Sequence, residues 1–280
     1  MSDAFLPALR AHLGDRYRLH GEVARGGMAR VYRADDLIRG GEVAIKVLRP
    51  ELAAALGPDR FLREIQILGR LRHPNILPLL DSREGAGSLY YVTPYISGSS
   101  LQRRLERGGP LPTEEVLRIS RDVAAALDHA HRENVIHRDI KPANILLDRE
   151  RAVVCDFGVA RAIVRAATES FSSGGLVVGT AAYMSPEQAM GATEIGPQSD
   201  LYSFACVVYE MLTGERPFTG ATAQAVLARQ LAEQPRSLRA VRPEIPARIE
   251  QAVLMSLAKA PDARPRGVRD FLARLGGEGA

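Results

Sequence analysis

The sequence has no tryptophan, only two cysteines in 280 residues, and no long uninterrupted apolar run. Each absence excludes something. Cys155 and Cys206 each lie inside an apolar run, so they read as free buried thiols of a reducing compartment, not as a disulfide framework. No stretch approaches the roughly 20 apolar residues that a bilayer crossing needs. The opening "MSDAFLPALRAHLGDRY" also lacks the charged-then-apolar layout of a secretory signal. The expectation is a cytoplasmic chain with no membrane segment. Its net charge of +4 comes from arginines scattered along the length, without a dense basic run or tryptophans to stack on bases. That pattern reads as solvated helix faces and gives no nucleic-acid partner. What is present, 46% hydrophobic residues, suits a packed domain and argues against disorder.

The patterning changes along the chain. From Tyr17 to Leu48 three short β-like segments, "YRLHGEV", "ARVYRADD" and "EVAIKVL", are separated by Gly26-Gly27 and Gly40-Gly41, which predicts an antiparallel meander. One helix is expected next: "PDRFLREIQILGRL" has Pro58 for a first turn and Phe61, Ile65 and Leu68 at helical spacing. Glu64, Leu68 and Leu71 recur at i, i+4, i+7, so this helix carries a carboxylate at the edge of its apolar face, where it needs a cation. "ILPLLDS" and "SLYYVTPYI" read as further strands, and "SGSS" marks a boundary near Ser97.

Beyond that break the chain turns helical. Thr113 is the expected N-cap of a helix with Glu114 and Glu115 in its first turn and Val116, Ile119, Val123, Leu127 and Ala130 on one face. "SDLYSFACVVYEMLTG", apolar almost all round and ending at Gly214, predicts a buried central helix. Further helices are expected near 221–233, 246–260 and 267–275. The start, "DAFLPALRAHLGDRY", suggests a short amphipathic helix, and the closing "GGEGA" a frayed end or the stump of a linker. The fold class is α+β.

Polar clusters punctuate this layout. "NVIHRDIKPANILLD" crowds His137, Arg138, Asp139, Lys141 and Asn144 between two apolar runs, an arrangement that cannot enter a core without partners. "VAIK" ends at Lys46, "CDFG" places Asp156 twelve positions after Asn144, and "GTAAYMSPEQ" follows. Alone each motif is weak; a D-x-G triplet is most often a turn, and a strand-end lysine is usually solvated. Together, in this order and on a β-then-α layout, they resemble the protein Ser/Thr kinases, most closely the bacterial eukaryotic-like branch, from about Tyr17 to Leu275.

The resemblance implies a bilobal kinase fold: an N-terminal extension over 1–16, a kinase domain over 17–275 with lobes 17–96 and 97–275, and a tail over 276–280. It implies ATP and Mg2+, with Mn2+ as an alternative. "ARGGMARV" stands where the family has a glycine-rich hairpin over the phosphates; Gly26 and Gly27 remain, whereas Ala24 and Ala29 replace glycines, so a strained Ala24 is expected if that position needs a positive φ. Lys46 would reach the α- and β-phosphates and pair with Glu64. Asp139 would accept or orient the proton of the substrate hydroxyl, Lys141 would neutralise the γ-phosphate, and Asn144 and Asp156 would hold the metal. His137 is assigned a structural role. Val31 and Ala44 would roof the adenine pocket and Leu146 would floor it, Val23 would also line the nucleotide site, and Pro94 and Ile96 would offer hinge carbonyl and amide behind Thr93. Glu187 would pair with Arg264, and Asp200 would anchor the catalytic loop.

Protein substrates bearing Ser or Thr follow from the same resemblance, as does a kinase homodimer for trans-autophosphorylation. So does a location in the cytosolic part of a longer, membrane-anchored protein. Two rivals differ in class. A pseudokinase binding module is disfavoured by the full set of charged positions, and a small-molecule phosphotransferase by the peptide-receiving "GTAAYMSPEQ". The segment between "DFG" and "GT" is rich in Ser, Thr and Gly, with Arg138 and Arg161 as a cradle for phosphate. Its candidate phosphosites are Thr168, Ser170, Ser172 and Ser173. Protein made in the presence of ATP should carry phosphate within residues 168–173; a phosphopeptide map showing none there contradicts this reading.

Overall fold

The computed structural model describes residues 5–27, 29–85, 87–157 and 181–276, without the side chains of Phe5, Leu6, Glu64 and Ile67. The described residues fall into two compact units. The smaller holds those up to Arg72 together with Leu77–Ser97; the larger holds His73–Ile76, Gly98–Phe157 and those from Ala181 onward.

In the smaller unit, helix α1 (Phe5–Leu13) precedes strands β1 (Tyr17–Arg25), β2 (Ala29–Asp36) and β3 (Glu42–Leu48). Two helices follow, α2 (Pro50–Leu56) and α3 (Pro58–Leu68), and then β4 (Asp81–Gly85) and β5 (Ser88–Pro94). The five strands form one sheet in the order β1-β2-β3-β5-β4, every neighbouring pair antiparallel. Strand β3 is buried at every position after Glu42 because both faces of the sheet are covered. On one face Tyr32, Ala34, Val43, Ile45, Val47, Tyr90 and Val92 pack with Tyr17 and with Leu9 and Leu13 of α1. On the other, Leu48, Leu89 and Tyr91 meet Leu56, Phe61 and Ile65 of α2 and α3. Phe61 and Ile65 are one turn apart and so share the inward face of their helix.

The helix expected from Pro58 is α3, which ends at Leu68; a further helix, α2, which the sequence pattern did not single out, precedes it and ends at Gly57, whose φ is 74°. The run "ILPLL" is not a strand of the sheet. Ile76 makes an isolated parallel bridge to Val154, and the strand starts only at Asp81. Asn75 explains the departure: its Nδ2 donates to the Ala152 carbonyl (2.9 Å) and its own carbonyl accepts from the Val154 amide (2.8 Å).

The larger unit opens with β6 (Ser99–Ser100), α4 (Leu101–Gly108), α5 (Thr113–Arg132), β7 (Ile145–Asp148) and β8 (Arg151–Val154). Helices α6 (Pro186–Ala189), α7 (Pro197–Thr213), α8 (Ala223–Ala232), α9 (Leu238–Val241), α10 (Ala247–Ser256) and α11 (Val268–Gly276) complete it. The "SGSS" segment is more than a break. Ser99 and Ser100 pair with Leu147 and Leu146, and the Ser100 side chain caps the unanticipated α4 by accepting from the Arg103 amide. Pro112, not Thr113, occupies the N-cap of α5; Thr113 is its first residue. The face expected on that helix, from Val116 to Ala130, is buried. Helix α7 is buried along nearly its whole length and stops at Gly214 in the left-handed region (φ 77°), a conformation that favours glycine.

Leu9, fully buried beneath the sheet, ties α1 to the smaller unit. Leu9→Ala should cost about 2–4 kcal/mol of unfolding free energy, read as a lower urea midpoint; an unchanged midpoint would mean that α1 is not docked.

Candidate active site

The polar cluster of "NVIHRDIKPAN" is a loop hung on one buried carboxylate. Asp200, on α7, has no solvent exposure. It accepts from the backbone amides of His137 (2.8 Å to Oδ2) and Arg138 (2.8 Å to Oδ1), and His131 Nε2 lies 2.8 Å from Oδ2. These contacts supply what an ionised carboxylate in a core requires. They also hold Arg138 at a φ of 70°, a left-handed conformation costing a non-glycine residue roughly 1–3 kcal/mol.

His137 is fully buried. The Asp139 amide donates to its Nδ1 (3.2 Å), so the ring proton sits on Nε2, which donates to the Cys155 carbonyl (2.9 Å). Its ring meets Phe157 edge-on at 4.5 Å between centroids. Both contacts are structural. Beside it, Lys141 Nζ binds both Asp139 oxygens at 2.7 and 3.0 Å, and Asn144 Nδ2 donates to the Asp139 carbonyl (2.8 Å) and to Oδ2 (3.1 Å). The carboxylate is therefore oriented by a cation and an amide.

Asn144 and Asp156 come together through the β7–β8 hairpin. Ile145 pairs with Val154, and the Cys155 amide donates to the Asn144 carbonyl (2.9 Å), so both side chains leave from the same end of the ladder. Asp156 has a φ of 64°, a second strained residue at the cluster. The nitrogen of the Asn144 amide is committed to Asp139, which turns its oxygen elsewhere. A carboxamide oxygen and a carboxylate are hard donors that suit Mg2+. Leu146 is half-buried on β7, opposite Val153.

The "AAYMSPEQ" segment is fastened at several points. Arg264 forms a two-pronged pair with Glu187 (2.8 and 2.8 Å), and the Ser199 hydroxyl donates to the same carboxylate (2.5 Å). Burial pushes the Glu187 carboxyl up, but the hydrogen bonds from Arg264 and Ser199 outweigh it and leave it below the ordinary carboxylate range. The Tyr183 hydroxyl donates to Glu210, whose own carboxyl is raised by burial. Two glutamines that the sequence did not single out complete the attachment. Fully buried Gln230 on α8 donates through Nε2 to the carbonyls of Ala181 (3.2 Å) and Ala182 (2.9 Å), and Gln188 donates to the Arg138 carbonyl (2.9 Å).

In the smaller unit the strand register puts Val31, Ala44, Lys46 and Thr93 on one face of the sheet: Val31 lies opposite Lys46, and Ala44 opposite Thr93. Lys46 is buried, with Nζ 5.7 Å from the centre of the Tyr91 ring. The Thr93 hydroxyl is buried with no hydrogen-bond partner among the described residues, one of the few buried polar groups left unsatisfied. Val23 is exposed on β1, and Gly26 donates its amide to the Ala29 carbonyl (2.9 Å) at the start of the β1–β2 turn; Gly27 is exposed. Ala24 is paired with Val31 and is not among the residues with positive φ, so the strain expected at this alanine is absent. Pro94 ends β5 and Ile96 is half-buried two residues on. Glu64 lies on α3, but its side chain, like residues Thr168, Ser170, Ser172, Ser173, Thr180 and Arg161, is outside the described set, so the expected Lys46–Glu64 pair and the phosphosites have no place in it.

Removing one partner of a buried ion pair strands the other. Arg264→Met should therefore destabilise the protein by about 3–5 kcal/mol near neutral pH. The stability contributed by Glu187 is present above the ordinary carboxyl value of 4.5 and is lost as pH falls through its depressed folded value. The gap between the parent and Arg264→Met in chemical unfolding should accordingly narrow below that pH; a gap that stays constant contradicts the pairing.

Comparison with known proteins accounts for this arrangement. The defining pattern of the protein kinase domain matches residues 17–274. The chain is 40% identical over 272 residues to the serine/threonine-protein kinase PknB of Mycobacterium leprae, covering 94% of this chain and 43% of that one. It is 36% identical over 265 residues to PrkC of Bacillus subtilis, covering 94% of this chain and 40% of that one. The chain thus spans about two fifths of the length of the curated relatives it matches. Among solved structures, the PknI kinase domain of Mycobacterium tuberculosis is similar with a TM-score of 0.72 and 29% identity, over 94% of this chain and 96% of that one. A match running through both units and every motif above places this protein in the protein kinase domain family.

Proposed function

We propose that this protein is a serine/threonine protein kinase that transfers the γ-phosphoryl group of ATP to Ser and Thr hydroxyls of proteins. The observation that carries the reading is the Asp139 carboxylate, oriented by Lys141 and Asn144 in a loop fixed from Asp200. An acceptor hydroxyl at Asp139 gives up its proton there as its oxygen bonds to the γ-phosphorus and the bond to ADP breaks. Lys141, on the same carboxylate, supplies positive charge where the transferred group is most negative. Asn144 and Asp156 would hold Mg2+, which when bound neutralises phosphate charge; Mn2+ fits the same donors. In the smaller unit Lys46 would bind phosphate oxygens, while Val31, Ala44 and the Thr93 hydroxyl would meet the base.

A protein acceptor is favoured over a small molecule because the Ala181–Ala189 segment is anchored through Glu187, Gln188 and Gln230 to three separate parts of the larger unit. The chain's own loop at Thr168–Ser173 would be a first substrate, phosphorylated by a second copy of the kinase. The setting would be the cytoplasm, with this chain as the cytosolic part of a longer, membrane-anchored protein as a second reading.

Incubation with ATP and Mg2+ followed by intact-mass measurement should show added phosphate on the parent chain. Asp139→Ala should lower the rate by roughly a hundredfold or more, the usual scale for loss of a general base. Phosphate on neither chain, with none on a generic protein substrate, contradicts the proposal. Transfer to aminoglycosides or simple alcohols in preference to protein would favour the small-molecule reading.

A further inference from the structure

We infer that Gln188 is a positioning residue for Asp139, linking the segment that receives the peptide to the catalytic carboxylate. The inference rests on the kinase reading for its consequence but on geometry for its substance. The peptide unit joining Arg138 to Asp139 is held at both ends: its carbonyl accepts from Gln188 Nε2 (2.9 Å), and its N–H donates to His137 Nδ1 (3.2 Å). Because Arg138 is held at a left-handed φ of 70°, this unit would relax by rotating if one end were released.

Gln188 is itself held. Its amide nitrogen accepts nothing, and its oxygen end is committed to Ser185, which donates to it from both backbone N–H (3.1 Å) and hydroxyl (3.1 Å). The Gln188 amide in turn donates to the Ser185 hydroxyl (3.3 Å), closing a reciprocal cap at the start of α6. A carbonyl can only accept, so the nitrogen end of the side chain must face Arg138 and the oxygen end Ser185. One side chain thus performs two separable tasks. The oxygen caps a helix, and the nitrogen fixes the peptide unit that carries Asp139. Between Ser185 and Gln188 stands Glu187, paired with Arg264, so the whole turn is a rigid block against which the catalytic loop is set. Among the described residues, the Gln188–Arg138 bond is a direct link by which a peptide seated on this segment would bear on Asp139.

Gln188→Glu separates the tasks, because glutamate is a favoured partner in such a cap but has no N–H to offer Arg138. With a Ser- or Thr-containing protein substrate, the expected result is a fall of roughly tenfold in kcat, with the KM for ATP and the melting temperature close to the parent's. Ser185→Ala, which removes the cap and leaves the amide nitrogen, should lower the melting temperature with a smaller effect on kcat. Gln188→Met, lacking both functions, should show both losses. A parental kcat in Gln188→Glu, or a loss that merely tracks melting temperature across the three variants, overturns the inference. If the parent transfers no phosphate, the kinase reading fails and the inference is read from hydrogen exchange: the Asp139 amide should exchange faster in Gln188→Glu, and equal rates overturn it.

Discussion

The structure of the larger unit turns on one buried carboxylate. Asp200 sits on a helix that is apolar on every side, where an ionised group survives only if its oxygens are satisfied. It is satisfied by the two backbone amides at the head of the catalytic loop and by His131. The need works in both directions. The carboxylate requires those donors, and the loop, bent into a left-handed turn at Arg138, requires that acceptor to stay bent. Asp139 is positioned as a consequence, with Lys141 and Asn144 both bonded to it within a few residues of the anchor.

The same logic extends to the segment after Ala181. Several of its polar groups lie in or beside the core with partners on other elements: Glu187 with Arg264, Tyr183 with Glu210, and the Ala181 and Ala182 carbonyls with Gln230. None of these is a surface ion pair of the weakly stabilising kind. On the proposed reading this segment would present backbone to a peptide substrate, and these bonds support that role by fixing its position at several points.

Much of this was legible in the sequence, for identifiable reasons. Helix α7 announced itself by an unbroken apolar run ending in glycine, and α5 by a single apolar stripe, because local periodicity reports directly on burial. Asp139, Asn144 and Asp156 stood out because polar groups between apolar runs are costly without partners and because they fall in motifs of the kinase family. Short elements were harder. Helices α2 and α4 span seven and eight residues, and their ends are set by Pro50, Gly57 and the Ser100 cap, not by a period. "ILPLL" has strand-like composition, but pairing is a non-local property, and Asn75 commits this stretch to Ala152 and Val154 instead. Gln188 and Gln230 were invisible for the same reason: nothing local distinguishes a glutamine that faces water from one whose partners lie 48 to 50 positions away.

The account stands on Asp200 as the acceptor that shapes the catalytic loop. Asp200→Asn keeps the size of the side chain but replaces one acceptor oxygen with a donor, leaving the amide of His137 or Arg138 without its partner. The decisive measurement is the rate of phosphate transfer to a protein substrate by this variant, alongside its affinity for ATP and its melting curve. A loss of roughly tenfold to a hundredfold, as expected for a charged hydrogen bond removed, in a chain that still melts cooperatively and binds ATP within a few-fold of the parent, is the predicted result. Transfer at the parent's rate from such a chain would contradict it.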